Sequence, residues 1–208
     1  MRRLHFDDVR DGPSDTGARW LPLRAALGLQ AFGLSAYRGE PGEVVVPLHR
    51  ELGDGADNHQ ELYVVVSGAA QFQVDDESFA APAGTLVLVE RGERRRAEAT
   101  EPGTVVLAAG APVGEAYRIA PWEYGSRAAY ARAFGDVDEL ERVVDEGTAA
   151  HGDHVTLQIG RACVAAQRGR LDDARAELER AYADPDFGEW ARDEAAREPL
   201  LAPVRERE

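Results

Sequence analysis

Hydrophobic and polar positions change rhythm once along this chain. From Arg19 to residue 119, short runs alternate apolar and polar residues at about 19–24, 29–38, 43–51, 59–66, 69–75, 85–89, 94–99, 104–109 and 115–119. That period of two sends successive side chains to opposite faces of a strand. The runs are broken by turn-forming groups: Gly39-Glu40-Pro41-Gly42, Gly53-Asp54-Gly55, Asp75-Asp76-Glu77, Pro82-Ala83-Gly84, Arg91-Gly92 and Pro102-Gly103. Short strands at regular spacing with turn chemistry between them predict an all-β sandwich or small barrel over 19–119. After Pro121 the β-branched residues and glycines thin out, Ala, Arg, Glu and Leu take over, and the period moves toward 3.6. Helices are predicted at about 124–134, 136–149, 154–168, 171–183 and 188–197. The chain thus reads as a multidomain α+β protein with an arm over 1–18, a β domain over 19–119 and a helical region over 120–208. The arm is polar and is expected to be loosely held, with His5 a surface residue.

The pattern is densest at Asn58 through Gly68, a polar-then-apolar strand ending in a turn glycine. Alternation places His59, Glu61, Tyr63 and Val65 on one face and Leu62, Val64 and Val66 on the other. If the first face lines a barrel, burying unpaired polar groups there costs about 2–7 kcal/mol each. A metal, a small ligand or an arginine must satisfy them. The triplet Arg94-Arg95-Arg96 offers arginines, at least one of which alternation leaves in solvent. Tyr37, Phe72, Phe79 and Tyr117, with Trp20 and Phe32 ahead of them, are expected in the core, and Gln71 and Gln73 are candidates for a pocket wall.

The helical half repeats itself. Gly135 and Gly169 lie 34 residues apart, and at the same offset Ala128 matches Ala162, Ala131 matches Ala165, Val137 matches Leu171 and Val144 matches Leu178. A helix-turn-helix period of that length is that of the tetratricopeptide repeat. The stretch from Gly169 to Ala181 resembles the second half of that motif, with Pro185 near its closing position; the first copy carries Leu140 and Gly147 where small helix formers are usual. Two degenerate repeats and a capping helix follow from the resemblance, short of the three a solenoid needs. His151-Gly152-Asp153-His154 has residue types that ligate metals, but Asp153 reads more simply as the N-cap of a helix beginning at His154. Trp122, Tyr124 and Trp190 are expected to seal the seam between barrel and helices or the end of the helical stack, an exposed Trp marking instead a partner surface.

Composition narrows the partners. A net charge of −14, with an acidic excess in both halves and a pI of about 4.8, argues against nucleic acid and anionic membranes. All the strongly basic side chains are Arg, a bias of coding rather than of chemistry. Cys163, the single cysteine, is expected to be a buried helical thiol. Neither a leader-like apolar run at the start nor a membrane-length one elsewhere is seen, so a cytoplasmic location is expected. No phosphate loop, Ser-His-Asp order or nucleophile elbow can be drawn.

Gly42-Glu43-Val44-Val45-Val46-Pro47-Leu48-His49-Arg50-Glu51, Glu61 through Gly68, and Gly84 through Gly92 together resemble the two motifs of the cupin superfamily, over roughly residues 25–117. The resemblance implies a cupin-type antiparallel β-barrel, or jelly roll, followed by a small TPR-like module. His49 takes the first histidine position and Glu51 stands at the second, while Glu61 and Gly68 keep the family's six-residue interval. In the second motif Glu90 replaces a proline and Arg95 occupies the histidine position. A guanidinium has no lone pair to donate, so the family's four-ligand metal set is broken. Three readings stay open. His49, Glu51, His59 and Glu61 rearrange around one divalent transition metal. Alternatively Glu61 pairs with Arg95 and no ion is bound. In the third, Arg94, Arg95 or Arg96 with Tyr63 holds the carboxylate of a small organic acid. The expected function is a non-catalytic, small-molecule-binding protein whose ligand-binding residues are His49, Glu51, His59, Glu61, Tyr63 and Arg95, with helical repeats for a protein partner or self-association. The alternative is a metal-dependent dioxygenase, isomerase or decarboxylase using His49, Glu51, His59 and Glu61. Cupin resemblance also implies a homodimer.

Overall fold

The computed structural model describes residues 1–12, 17–52 and 58–205, and the turn predicted at Gly53-Asp54-Gly55 lies outside them. Among the described residues the strands are β1 (Arg19–Leu21), β2 (Gly33–Gly39), β3 (Val44–His49), β4 (His59–Ser67), β5 (Ala69–Val74), β6 (Glu77–Pro82), β7 (Leu86–Val89), β8 (Arg95–Ala99) and β9 (Thr104–Pro112). Every pairing is antiparallel, and two sheets result, ordered β1-β2-β9-β4-β7 and β3-β8-β5-β6. Val45 and Val46, Tyr63 and Val65, Phe72, Val87 and Val89, Ala97 and Val106 form one buried cluster drawn from both sheets, so their inner faces close on a common core. Phe72 is central to it, its ring 5.9 Å from that of Tyr63 and 6.0 Å from that of Phe79. Trp20 is buried at β1 and donates its indole N–H to Ser35 Oγ.

The structure departs from the sequence pattern in instructive places. The run at 19–24 divides, because Pro22 ends β1 and a short helix α1 (Leu23–Leu27) follows. The first twelve residues are held rather than loose: Leu4, Phe6 and Val9 pack on Leu21, Leu23 and Ala36, and Gly12 pairs with Trp20 through two backbone hydrogen bonds of 2.8 and 3.3 Å. Three apolar anchors in a polar stretch sufficed to dock it. Strand β6 was hidden behind its turn, since the polar residues Glu77 and Ser78 occupy rungs opposite β5. No strand forms over 115–119; β9 stops at Pro112, which has no N–H to continue the ladder, and Tyr117 therefore lies in a loop. Gln71 and Gln73 face solvent, because burying Phe72 turns both outward.

The helices are α2 (Pro121–Ala133), α3 (Val137–His151), α4 (Val155–Gln167), α5 (Leu171–Tyr182), α6 (Gly188–Arg197) and, after a 3₁₀ turn at Pro199–Leu201, α7 (Ala202–Arg205). Starts of α2 and α4, and of α3 and α5, fall 34 residues apart. The turns between paired helices use Gly135 and Gly169 at φ 66° and 76°, a region in which a Cβ is strained. Ten of the thirteen residues of α4 are buried, which makes it the axis on which α2, α3, α5 and α6 pack. Its small residues permit that approach on all sides. Cys163 lies there, fully buried, and burial pushes its thiol up to about 12. The N-cap of α4 is His154, whose Nδ1 accepts from Thr156 N, and not Asp153, which instead pairs with Arg161 at 2.6 Å. An imidazole nitrogen can cap where a carboxylate finds a nearer cation. Tyr124 is buried within this unit, its ring 5.8 Å from that of His151, whereas Trp122 and Trp190 are partly exposed.

Two compact units divide the chain at Met1–Ile119 and Ala120–Glu208. Among the described residues no helix is long and apolar enough to cross a membrane.

Candidate functional site

Alternation along β4 turns Glu61, Tyr63 and Val65 to the inside, and β3 delivers His49 beside Arg95, its Cα partner on β8. Gly110 of β9 lies opposite Glu61, where an added Cβ would stand 2.9 Å from Glu61 Cγ. The missing side chain is what admits the glutamate. A Gly110→Ala variant is expected to lose about 1–3 kcal/mol of stability, as overpacked cores do, and a denaturant midpoint equal to that of the parent would refute this role.

Glu61 Oε2 is the convergence point. It accepts from the Tyr63 hydroxyl at 2.5 Å and from Arg95 Nη2 and Nε at 2.7 and 3.1 Å. Arg95 has no exposed side-chain surface, and its remaining terminal nitrogen donates to the Glu93 carbonyl at 2.9 Å. His49 donates from Nδ1 to the Pro47 carbonyl at 2.7 Å, which aims Nε2 at Glu61 Oε2, 3.5 Å away, and at Glu51 Oε1, 3.7 Å away. With a third of its side chain exposed, His49 is the group of this cluster most open to solvent.

Burial alone would raise the Glu61 carboxyl, but the contacts from His49 and Tyr63 and the charge of Arg95 outweigh it and hold the group at about 2. Burial lowers His49, yet its contacts with Glu61 and the Pro47 carbonyl leave it above its ordinary value. Burial, and then the Glu61 charge, push Tyr63 well up, so it stays a hydroxyl donor. A carboxyl held at about 2 against an ordinary 4.5 corresponds to stability of the order of 3 kcal/mol. That contribution is complete above pH 4.5 and is lost as pH falls toward 2. The His49 contribution is complete below pH 6.5 and is lost as pH rises through its raised value. Stability from this cluster is therefore expected to be greatest between pH 4.5 and 6.5. Denaturant midpoints across pH would show it, and His49→Ala should flatten the alkaline side; an unchanged alkaline side would remove His49 from this account.

Of the residues singled out in the sequence, His49, Glu51, Glu61, Tyr63 and Arg95 are brought together and His59 is not. Donor atoms of His49, Glu51 and Glu61 all lie within 4.8 Å of one another. His59, two residues back along β4 and so about 7 Å away, is buried with its ring 5.6 Å from that of Tyr117. A two-imidazole site becomes a one-imidazole, two-carboxylate site. Arg95 pairs with Glu61, as one of the three readings expected, and Tyr63 donates to the same oxygen. Arg94 and Arg96 lie outside the cluster: Arg94 binds Asp75 through its backbone N–H, and Arg96 pairs with Glu98. Sequence reasoning missed Gly110 and the carbonyls of Pro47 and Glu93. A glycine inside a strand was the one readable signal among them.

The residues fit a divalent ion in part. Ligands about 2.1 Å from one ion stand about 3.0–3.4 Å apart at octahedral and tetrahedral angles, close to the His49 spacings. Glu61 Oε2, however, already carries three hydrogen bonds and faces a fixed cation.

The chain matches no family model, and no curated protein matches it. Among solved structures it is similar to a predicted oxalate decarboxylase from Thermotoga maritima, with 18% identity, TM-score 0.44, and coverage of 52% of this chain and 97% of that one. It is also similar to a sugar phosphate isomerase from a cupin superfamily of Silicibacter pomeroyi, at 20% identity and TM-score 0.43 over 52% of this chain and 74% of that one. An RmlC-like cupin from Shewanella frigidimarina shares 13% identity at TM-score 0.42, over 55% of this chain and 94% of that one. The solved proteins that this chain is similar to thus include members of the cupin group.

Proposed function

We propose that the β unit is a cupin-type barrel that binds a small molecule without transforming it, and that the helical unit is a TPR-like module for a protein partner or self-association. One observation carries the first part: Arg95 and Tyr63 place three hydrogen bonds on a single oxygen of Glu61. The arginine acts as a built-in counter-ion, and its charge is opposed to a dication at the same place. The outward side of His49 is the most open part of the cluster, with the Glu51 carboxylate 3.7 Å from its Nε2, and a carboxylate only accepts hydrogen bonds. The favoured ligand therefore carries hydroxyl or amino donors; an organic acid would meet Glu51 and find Arg95 already engaged. Calorimetric titration of the full chain with polyols, amines and organic acids tests this. Binding of donor-bearing compounds, weakened about tenfold or more by Glu51→Gln, would support it. Binding restricted to acids would overturn it.

The clustering of His49, Glu51 and Glu61 donor atoms favours a second reading, a divalent transition metal and hence an enzyme such as a dioxygenase, isomerase or decarboxylase. Such an ion would supply Lewis acidity, with those three residues as its ligands. Near-stoichiometric Fe, Mn, Ni or Zn in protein purified without chelator, lost in His49→Ala, would replace the first reading with this one.

A further inference from the structure

We infer that the cleft between α5 and α6, closed by α7, binds a small organic anion, a carboxylate joined to an apolar body. The cleft has a volume of about 320 Å³, at the small end of the range for ligand sites. Helical spacing sets its walls. Arg175, Leu178 and Tyr182 form one stripe of α5, while the alanines at 195 and 196 leave space on the facing side of α6. Leu178, Leu201 and Val204 are buried and make the cleft's interior apolar.

Arginines at its edge give the sign of the ligand. Arg192 donates to the Tyr182 carbonyl at 3.1 Å, with its guanidinium 5.3 Å from that residue's ring centre. Arg205 donates to the carbonyls of Ala195 and Glu198 at 2.8 and 3.1 Å. Backbone carbonyls orient these two cations without neutralising them, and among the described residues neither is in an ion pair. Arg175 reaches Asp172 at 3.1 Å from a fully exposed carboxylate, a pairing that water weakens. Among the described residues Glu179 is the one acidic residue of the lining, against three guanidiniums. In a chain of net charge −14 this is a local reversal of sign around an apolar floor. Guanidinium forks match a carboxylate bidentately, and the apolar floor selects for the rest of the molecule.

Calorimetry on the full chain at low salt would use hexanoate and benzoate as probes and hexanol and hexylamine as controls. Both carboxylates should bind, and hexanol and hexylamine, whatever they do at the β unit, should not displace hexanoate. Arg192→Gln combined with Arg205→Gln should weaken hexanoate at least tenfold. Ala196→Phe, which fills the cleft from an exposed position, should do the same with the thermal midpoint retained. Glu51→Gln should leave hexanoate binding unchanged, which separates this site from the β unit. No binding of either carboxylate at millimolar concentration, displacement of hexanoate by hexanol at equal concentration, or wild-type binding by the arginine pair or Ala196→Phe variants would each overturn the inference.

Discussion

Glu61→Gln is expected to destabilise the β unit by about 3–5 kcal/mol, because it strands a charge rather than merely deleting a contact. Arg95 has no side-chain surface in solvent, and Glu61 is the one carboxylate paired with it among the described residues. The amide keeps the volume and one acceptor oxygen for Tyr63, so the loss isolates the charge. Arg95→Met should be milder, since Glu61 then retains Tyr63 and His49 and has some access to water. Adding Arg95→Met to Glu61→Gln should restore stability relative to Glu61→Gln alone, as expected when a buried pair is exchanged for apolar volume. Chemical denaturation of the four proteins closes this cycle. A cost below about 1 kcal/mol for Glu61→Gln, or no recovery in the double variant, would mean that the pair is not a unit.

Arg132→Met should have a comparable effect in the helical unit, of about 3 kcal/mol. Only 8% of the Arg132 side chain is exposed, and it joins Glu194 at 2.7 Å and Glu198 at 3.4 Å, so it ties α2 to α6 and to the turn before α7. Methionine keeps the aliphatic stem but leaves Glu198, itself nearly buried, without its cation. Helical circular dichroism during denaturation would measure the loss. A change under about 0.5 kcal/mol would show that the pairing offsets no more than its own desolvation.

Much of the architecture was readable because two periods dominate the chain. Strands β3, β4, β5, β7 and β8 and the helices from Pro121 to Arg197 fall close to the places that alternation and helical spacing indicate. The misses share a cause. Strand β6, the docked N-terminal residues and the unstructured 115–119 were decided by neighbours remote in sequence, which a local pattern does not register. At the site, alternation was enough to turn Glu61 and Tyr63 inward, and the place of Arg95 in the second motif marked it as their neighbour. Nothing local said that Tyr63 would join Arg95 on Glu61, that a glycine on β9, with four strands between them in sequence, would make room for it, or that His59 would turn to Tyr117. Those are properties of register between distant strands.

Cys163 makes the protein its own stopwatch. A thiol sealed inside α4 and held at about 12 cannot meet an alkylating reagent until the surrounding helices part. Because no other cysteine competes, the pace of labelling clocks the breathing of the helical half alone, even while the strands are being perturbed.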